Sequence, residues 1–554
     1  MADKSFGAKQ INLIGASGTP TIESPNNLNL KANTVAISTD VTIGGQVQSN
    51  LKIGSSYSVG IGTTNPTAKL HVVGDALINY ITVGRGGISS SVGFSSAITN
   101  TAIGYSALYS NTTGRFNTAI GSSALYSNTT GIFNTSVGDM TLNSNTTGNS
   151  NVALGEGNLG LSITPSNNTA IGDGALYLNT TGQENTATGS LALFDNTIGI
   201  DNTAIGSKSL SSNTTGEFNT AVGRHSLYSN IGGYDNTAVG WTALNTNVSG
   251  VRNTAIGSGA LSLSTVNYLT AVGAEALNKN TTGESNTAVG TFALQKNTVG
   301  YENTAIGREA LQNNLGGYRN TAIGYRASRE GVNISNNVAF GAIALTSSLN
   351  GSQNTAIGTR ALTSLVGTSS PLLGADNTAV GFNALGSLVA NDKNIALGSG
   401  ALSNCLGSQN IGICNDINPV FNVISHDNRI VIGSTSVTNA YIQVAWTVVS
   451  DARDKTNLST IPHGLDFVNQ LKPTAFQFKL NRESEETNGP LRYGFLAQDI
   501  LALEGPDSVI IDNEDPEKLR YNGESLIPVL VNAINELSTK VKELQNQIDV
   551  IKNK

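Results

Sequence analysis

Cysteine is almost absent from this chain: Cys405 and Cys414 are the only two in 554 residues. Two thiols cannot make a disulfide framework, and their spacing lacks the second pair that a zinc site needs, so they read as small buried apolar residues. Charge is scarce as well, at 12% of residues against about 25% in ordinary globular domains. The net charge is −7 and no run of Lys and Arg stands out, which argues against a nucleic-acid partner, because phosphate contacts need clustered cations. No stretch approaches 18 apolar residues, and the start Met-Ala-Asp-Lys-Ser-Phe-Gly has no apolar signal region. The expectation is synthesis in a cytoplasm without export and without membrane insertion. No motif for a metal or cofactor occurs, and His71, which has no cluster around it, reads as an exposed strand residue.

Glycine is what the chain has in quantity, 62 residues, beside an apolar content of 38% that still permits a core. The remaining charge is uneven. Residues 450–554, about a fifth of the length, hold 29 of the 69 charged side chains, 12 basic and 17 acidic. A boundary therefore falls near Ser450.

Residues 1–95 read as short strands between turns, among them the segments 28–37, 41–45 and 53–54. We take this part as a β attachment or shaft region. From Asn100 the chain becomes periodic. Asn-Thr-Ala-Ile-Gly or a close variant recurs every 17 residues from Asn100 to Asn253, shortens to 16 at Leu269, and resumes from Asn286 to Asn354. It continues at Asn377, Asn394 and Asn410, which makes nineteen coils over residues 96–425. Seventeen residues are too few for a helix pair or a propeller blade and suit one turn of a narrow β-roll.

The unit, as in Asn100 to Phe116, reads as two short strands, at Ala102-Ile103 and Ala107-Leu108, with turns at Gly104 and Asn111-Thr112-Thr113-Gly114. Glycine at both corners permits positive φ. Stacking would place Ile over Ile inside the coil and Asn over Asn in corner ladders, a role that outweighs glycosylation for sequons such as Asn111-Thr112-Thr113. Nineteen coils at about 4.8 Å make a rod on the order of 90 Å long. The small Ala positions suggest packing against neighbouring chains in a trimer. Charges such as Arg115, Glu184, Glu217, Asp235, Arg252 and Glu302 sit mostly just before the Asn-Thr motif, at solvated turn positions. The insertion Thr363 to Ala375 breaks the beat, and residues 426–449 form a β neck with strands near 429–433 and 440–449.

Ser450 and Lys455 follow directly. A serine hydroxyl becomes a nucleophile when a nearby base takes its proton, and a lysine amine five residues on could be that base. A lysine amine ordinarily titrates near about 10.4, so the reaction needs burial to release the free base, which gives cleavage a gate. At the C-terminus Ile527, Leu530, Ile534, Leu537, Val541, Leu544, Ile548 and Ile551 alternate 3 and 4 spacings. That is a heptad seam over a helix at about 524–553, compatible with three strands. Pro528 lies where a helix start tolerates it. The bland alternative is one amphipathic helix packing on its own domain.

Four blocks carry a family resemblance: Ser450-Asp451-Ala452-Arg453-Asp454-Lys455-Thr456-Asn457, Leu471 to Phe476, Tyr493 to Ile500, and Tyr521 with Leu526 to Leu537. Together they resemble the C-terminal intramolecular chaperone autoprocessing domain of phage tail spikes and fibres, the endosialidase type. The resemblance implies a mainly α domain with a small β portion, a homotrimer, and self-cleavage by the residues matching Ser450 and Lys455, with Asp451, Arg453 and Asn457 as supporting motif residues. Asp454 departs from the apolar residue usual there. The Ala-Ile-Gly turns of the rod resemble the head repeats of trimeric autotransporter adhesins, and Val59 to Gly74 resembles a cassette of phage and bacterial fibre proteins.

The expected fold is mainly β: a trimeric parallel β-roll rod, then a smaller mainly α chaperone domain over 450–554 ending in a coiled coil. The expected protein is a virion tail fibre without cofactors, joined to a tail or baseplate protein at its N-terminus and binding a host-surface receptor, such as a glycan. Its chemistry would be one self-cleavage per chain. A repeated rod specifies register poorly, since a one-coil slip costs little, so a C-terminal trimeriser would set register first and then be released. A bacterial surface adhesin, a capsule-degrading spike with carboxylates paired across chains, and an ice-binding roll based on the Thr rows are the alternatives.

Overall fold

The computed structural model describes residues 59–61, 70–72, 76–78, 81–84, 100–347, 351–363, 374–387, 391–414, 427–433, 437, 450–479, 482–505, 508–514, 516–517 and 519–554. The strands expected at 28–37, 41–45 and 53–54, most of the 363–375 insertion and the segment 440–449 lie outside these residues. Contacts divide the chain into two units, 1–73 and 74–554. In the first, strands Val59–Ile61 and Leu70–Val72 pair in parallel, with Gly60 opposite His71.

The second unit contains a long parallel β-solenoid. Each Asn-Thr-Ala-Ile-Gly motif supplies one short strand, from Thr101–Gly104 to Ile411–Ile413, and a further strand, Ile430–Ile432, follows after the beat is lost. Neighbouring strands pair in parallel and in register, so that Ala102 lies over Ala119 and Ala204 over Ala221. At the N-terminal end strand Ile81–Gly84 runs antiparallel to Thr101–Gly104 and is itself half of a hairpin with Ala76–Ile78. An antiparallel cap of this kind blocks the open edge to which another chain could add a strand.

The coil differs from its sequence expectation in three ways, each with a physical reason. Among the described residues there is one strand per coil, not two, because the Ala-Leu piece is a turn. Leu210 and Leu227 hold φ 48° there and are fully buried. Left-handed backbone costs a non-glycine residue about 1–2 kcal/mol. Burying the leucine gains roughly 2–3 kcal/mol, and its N–H also bonds to the next coil, Leu210 to the Ser226 carbonyl at 3.0 Å. Burial wins.

The second difference is which side chains form the core. The middle strand residue points inward, so Ala102, Ala119, Ala204 and their equivalents are fully buried together with the turn leucines. The isoleucines point outward: Ile103 is 38% exposed and Ile205 43%. The alanines therefore fill the coil's own narrow interior and are not a surface for neighbouring chains. Where Ser136 replaces one, its hydroxyl donates to the Thr141 carbonyl of the same coil at 2.9 Å.

The third concerns glycine. Gly206 has φ 133°, and a Cβ there would lie 2.7 Å from the carbonyl carbon of Gly223 in the next coil. Gly216 at the other corner has no such φ, yet a Cβ would meet Asn213 Oδ1 at 2.3 Å and Gly233 O at 2.5 Å, so close approach is what excludes a side chain.

The expected asparagine ladders are present. Asn219 Nδ2 donates to Gly233 O at 2.8 Å and to Asn202 Oδ1 at 3.1 Å, while its own Oδ1 accepts from the Asn236 N–H at 3.1 Å. A second ladder runs through the other turn, with Asn213 Nδ2 donating to Asn196 Oδ1 at 2.7 Å. Both ladders change at the 16-residue coil before Leu269, where Leu269 and Ser264 stand in the asparagine places and Asn247 Oδ1 has no partner. Cys405 is buried and Cys414 half-buried, so the expectation of two buried thiols is corrected for Cys414.

A smaller region containing helix follows Ser450. Helices α1 (Leu465–Val468), α2 (Ala497–Glu504) and α3 (Gly523–Lys552) surround a core of Phe467, Ile500, Ile510, Ile511, Leu526 and Val529. An antiparallel pair, Thr474–Lys479 with Thr487–Gly494, supplies the β portion. Pro528 lies one turn deeper than a helix start, as the sixth residue of α3. There it leaves the Glu524 carbonyl without its usual helical donor.

Candidate self-cleavage site

Asp451 begins the site. It caps a single 3-10 turn, Ala452–Asp454, by accepting from the Arg453 N–H at 2.9 Å. The Arg453 guanidinium returns to the same carboxylate, Nε at 3.1 Å to each oxygen and Nη2 at 2.6 Å to Oδ2. That bond first, and the backbone N–H of Arg453 next, hold the Asp451 carboxyl below the ordinary carboxylate range. The turn closes with the Lys455 N–H donating to the Ala452 carbonyl at 3.2 Å. Asn457 then takes a left-handed φ of 55°, a conformation asparagine tolerates better than most residues, and bends the chain away.

The turn brings Lys455 back over Ser450. Lys455 Nζ donates to Ser450 Oγ at 2.5 Å and to the Ser450 carbonyl oxygen at 3.3 Å. The second contact was not foreseen from spacing alone; it fixes the amine against the serine backbone as well as its hydroxyl. Both residues are exposed in the single chain. All five motif residues, Ser450, Asp451, Arg453, Lys455 and Asn457, thus lie in one eight-residue loop, while Asp454 points to solvent.

Residues 450–510 match the family model described as the chaperone of endosialidase. No curated protein and no solved structure matches the chain. The match begins at Ser450 itself and covers the motif loop, α1, the hairpin and α2, ending before α3. A long parallel β-solenoid carrying this chaperone-type segment at its C-terminus fits a tail fibre or tail spike.

Helix α3 presents two faces. Leu526, Val529 and Ala533 are buried against the chaperone-type segment. Glu536 accepts from the Leu465 N–H at 2.7 Å, and Asn532 Nδ2 donates to the His463 carbonyl at 3.0 Å. The heptad seam is a different face, and it is exposed: Ile527 58%, Ile534 64%, Leu537 48%, Val541 55% and Ile551 72%. The seam is therefore not the face that docks α3 on its own domain. No helix among the described residues is long and apolar enough to cross a membrane, and no group of three or more metal-ligating side chains occurs among them.

Proposed function

We propose that this chain forms a trimeric virion tail fibre that attaches to a host surface, assembled by its C-terminal segment and released from it by a single self-cleavage beside Ser450. The 2.5 Å contact between Lys455 Nζ and Ser450 Oγ carries the reading. In the assembled state the loop becomes enclosed, the Lys455 amine as free base takes the serine proton, and Ser450 Oγ attacks a neighbouring peptide carbonyl; the C–N bond breaks as its nitrogen takes that proton from Lys455, and water then hydrolyses the ester so formed. Asp451 and Arg453 position the loop. Enclosure by neighbouring chains couples cleavage to assembly.

Two unpartnered surfaces support self-association. One is the heptad seam of α3, which needs other helices of the same spacing. The other is the outward strand face of the rod. Its two columns, Thr101 to Ile430 and Ile103 to Ile432, carry no charged residue in any coil. At about 4.8 Å per coil the face is on the order of 90 Å long, enough with a width of about 10 Å to approach the roughly 800 Å² per partner of a stable interface. Light scattering on the full chain and on residues 1–449 tests the assembly role. The full chain is expected as a trimer, and a soluble trimer from the shortened chain would overturn the chaperone's part in it.

A further inference from the structure

Over residues 96–425 the rod is acidic on balance, with 12 Lys and Arg against 16 Asp and Glu. One place reverses this. Arg308, Arg319, Arg326 and Arg329 fall within 22 residues that hold a single acid, Glu309. They form no run in sequence because the coil period separates them, and the fold gathers three of them on the first turn of two adjacent coils.

Arg308 Nη2 lies 2.9 Å from Glu309 Oε1, and Arg326 Nε and Arg329 Nε lie 2.7 and 3.1 Å from Oε2. The Glu309 side chain is only 6% exposed, whereas that of Arg308 is 59% exposed. One buried carboxylate is neutralised by one guanidinium; three leave excess positive charge and unspent N–H groups, since each guanidinium has five. Glu330 takes Nη1 of Arg329 at 3.0 Å. Arg308 and Arg326 have no other ion pair among the described residues. Their guanidinium carbons stand 6.0 and 4.9 Å from the ring centre of Tyr325, which is 39% exposed. Arg329 Nε also donates to Gln312 Oε1 at 3.1 Å, and Gln312 Nε2 to Gln295 Oε1 at 2.9 Å. Glu309 thus acts as a fixed post that orients a guanidinium fork beside an aromatic ring and a row of amides.

A fork held in place matches a carboxylate bidentately at low ordering cost. The exposed ring offers a flat apolar surface for the C–H face of a sugar, and amides suit its hydroxyls. The same turn of other coils carries Tyr105, 61% exposed, and Trp241, 57% exposed, so aromatic surface recurs along this side of the rod.

We propose that Arg308, Arg326 and Tyr325 form a recognition site for a carboxylate-bearing saccharide, an inference that rests on the attachment reading above. The test measures binding of the full-length fibre to immobilised polygalacturonate, hyaluronate, dextran sulfate and plain dextran. The unaltered fibre holds the two carboxylated chains and not plain dextran. Arg308→Ala weakens that binding at least tenfold with unchanged thermal unfolding, while Arg115→Ala, on a distant coil, has no effect. Equal binding by Arg308→Ala, no binding to either carboxylated chain, or preference for dextran sulfate overturns the assignment. Adsorption to bacterial cells separates the two readings. Adsorption that is indifferent to Arg308 sinks this site and leaves attachment standing; a fibre that holds carboxylated chains through Arg308 but adsorbs to no cell sinks attachment instead.

Discussion

Lys455 Nζ rests 2.5 Å from Ser450 Oγ because the intervening 3-10 turn, clasped by the Asp451–Arg453 ion pair, is the right length to fold the lysine back over the serine. Both side chains are exposed in the single chain. The proposed function then implies an order of events in which the loop forms within one chain and its chemistry waits for neighbours.

The waiting step is testable on α3. Leu537→Asp places a charge in the exposed seam without touching the domain core, so the chain is expected to keep its helicity, sediment as a monomer and remain uncut. Leu526→Ala acts differently: Leu526 is 3% exposed, and its truncation should cost about 2–5 kcal/mol in domain stability. Sedimentation velocity with gel analysis of both variants separates assembly from folding. Complete cleavage of monomeric Leu537→Asp would disconnect the two.

In the rod, Asn219→Ala leaves the Asn236 N–H without the acceptor it has at 3.1 Å, while the Gly233 carbonyl loses its 2.8 Å donor but keeps Asn230 Nδ2 at 3.0 Å. A buried orphan donor costs about 1–3 kcal/mol, so denaturant unfolding should show a loss of that size. Asn219→Asp, which keeps the acceptor but loses the amide donor, is expected to retain the Asn236 bond only.

Gly206→Ala is expected to be at least as damaging. Its φ of 133° is closed to side chains, and the added carbon would sit 2.7 Å from Gly223 backbone atoms in the next coil. A loss of about 2–4 kcal/mol and local hydrogen exchange in the flanking coils are the expected readouts.

The Glu309 post gives a pH signature. Its carboxyl lies below the ordinary value of 4.5, chiefly through the Arg326 bond, which outweighs the upward push of burial. A depressed folded-state value means stabilisation that is present above about pH 4.5 and lost as pH falls through the folded value. Denaturation of the unaltered chain and of Glu309→Gln should therefore differ at pH 7 and converge below pH 4.5. A gap that widens on acidification would contradict the ion-pair account.

Much of this molecule was legible in its residues. The 17-residue beat gave the coil, the Asn rows gave the ladders, and the heptad gave α3 with a seam that proves free of its own domain. The interior was misassigned because Ile is more apolar than Ala. The repeat itself carried the correcting signal: the middle strand place is Ala, Ser or Gly in all nineteen motifs, while the Ile place admits Thr188 and Phe340. A position that accepts both threonine and phenylalanine cannot be a packed interior. The left-handed leucines were not legible, since nothing local marks them; the next coil imposes them. Arg308 and Arg326 escaped notice for a related reason, being neighbours only once the coils stack.

The proposed function rests on Ser450 and Lys455 cutting the chain. A denaturing gel of the unaltered protein beside Ser450→Ala and Lys455→Ala measures this directly. The unaltered chain is expected as two fragments, the smaller beginning at or next to Ser450 by N-terminal sequencing, with both variants intact at 57.2 kDa. All three chains running at 57.2 kDa, or all three cut alike, would contradict it.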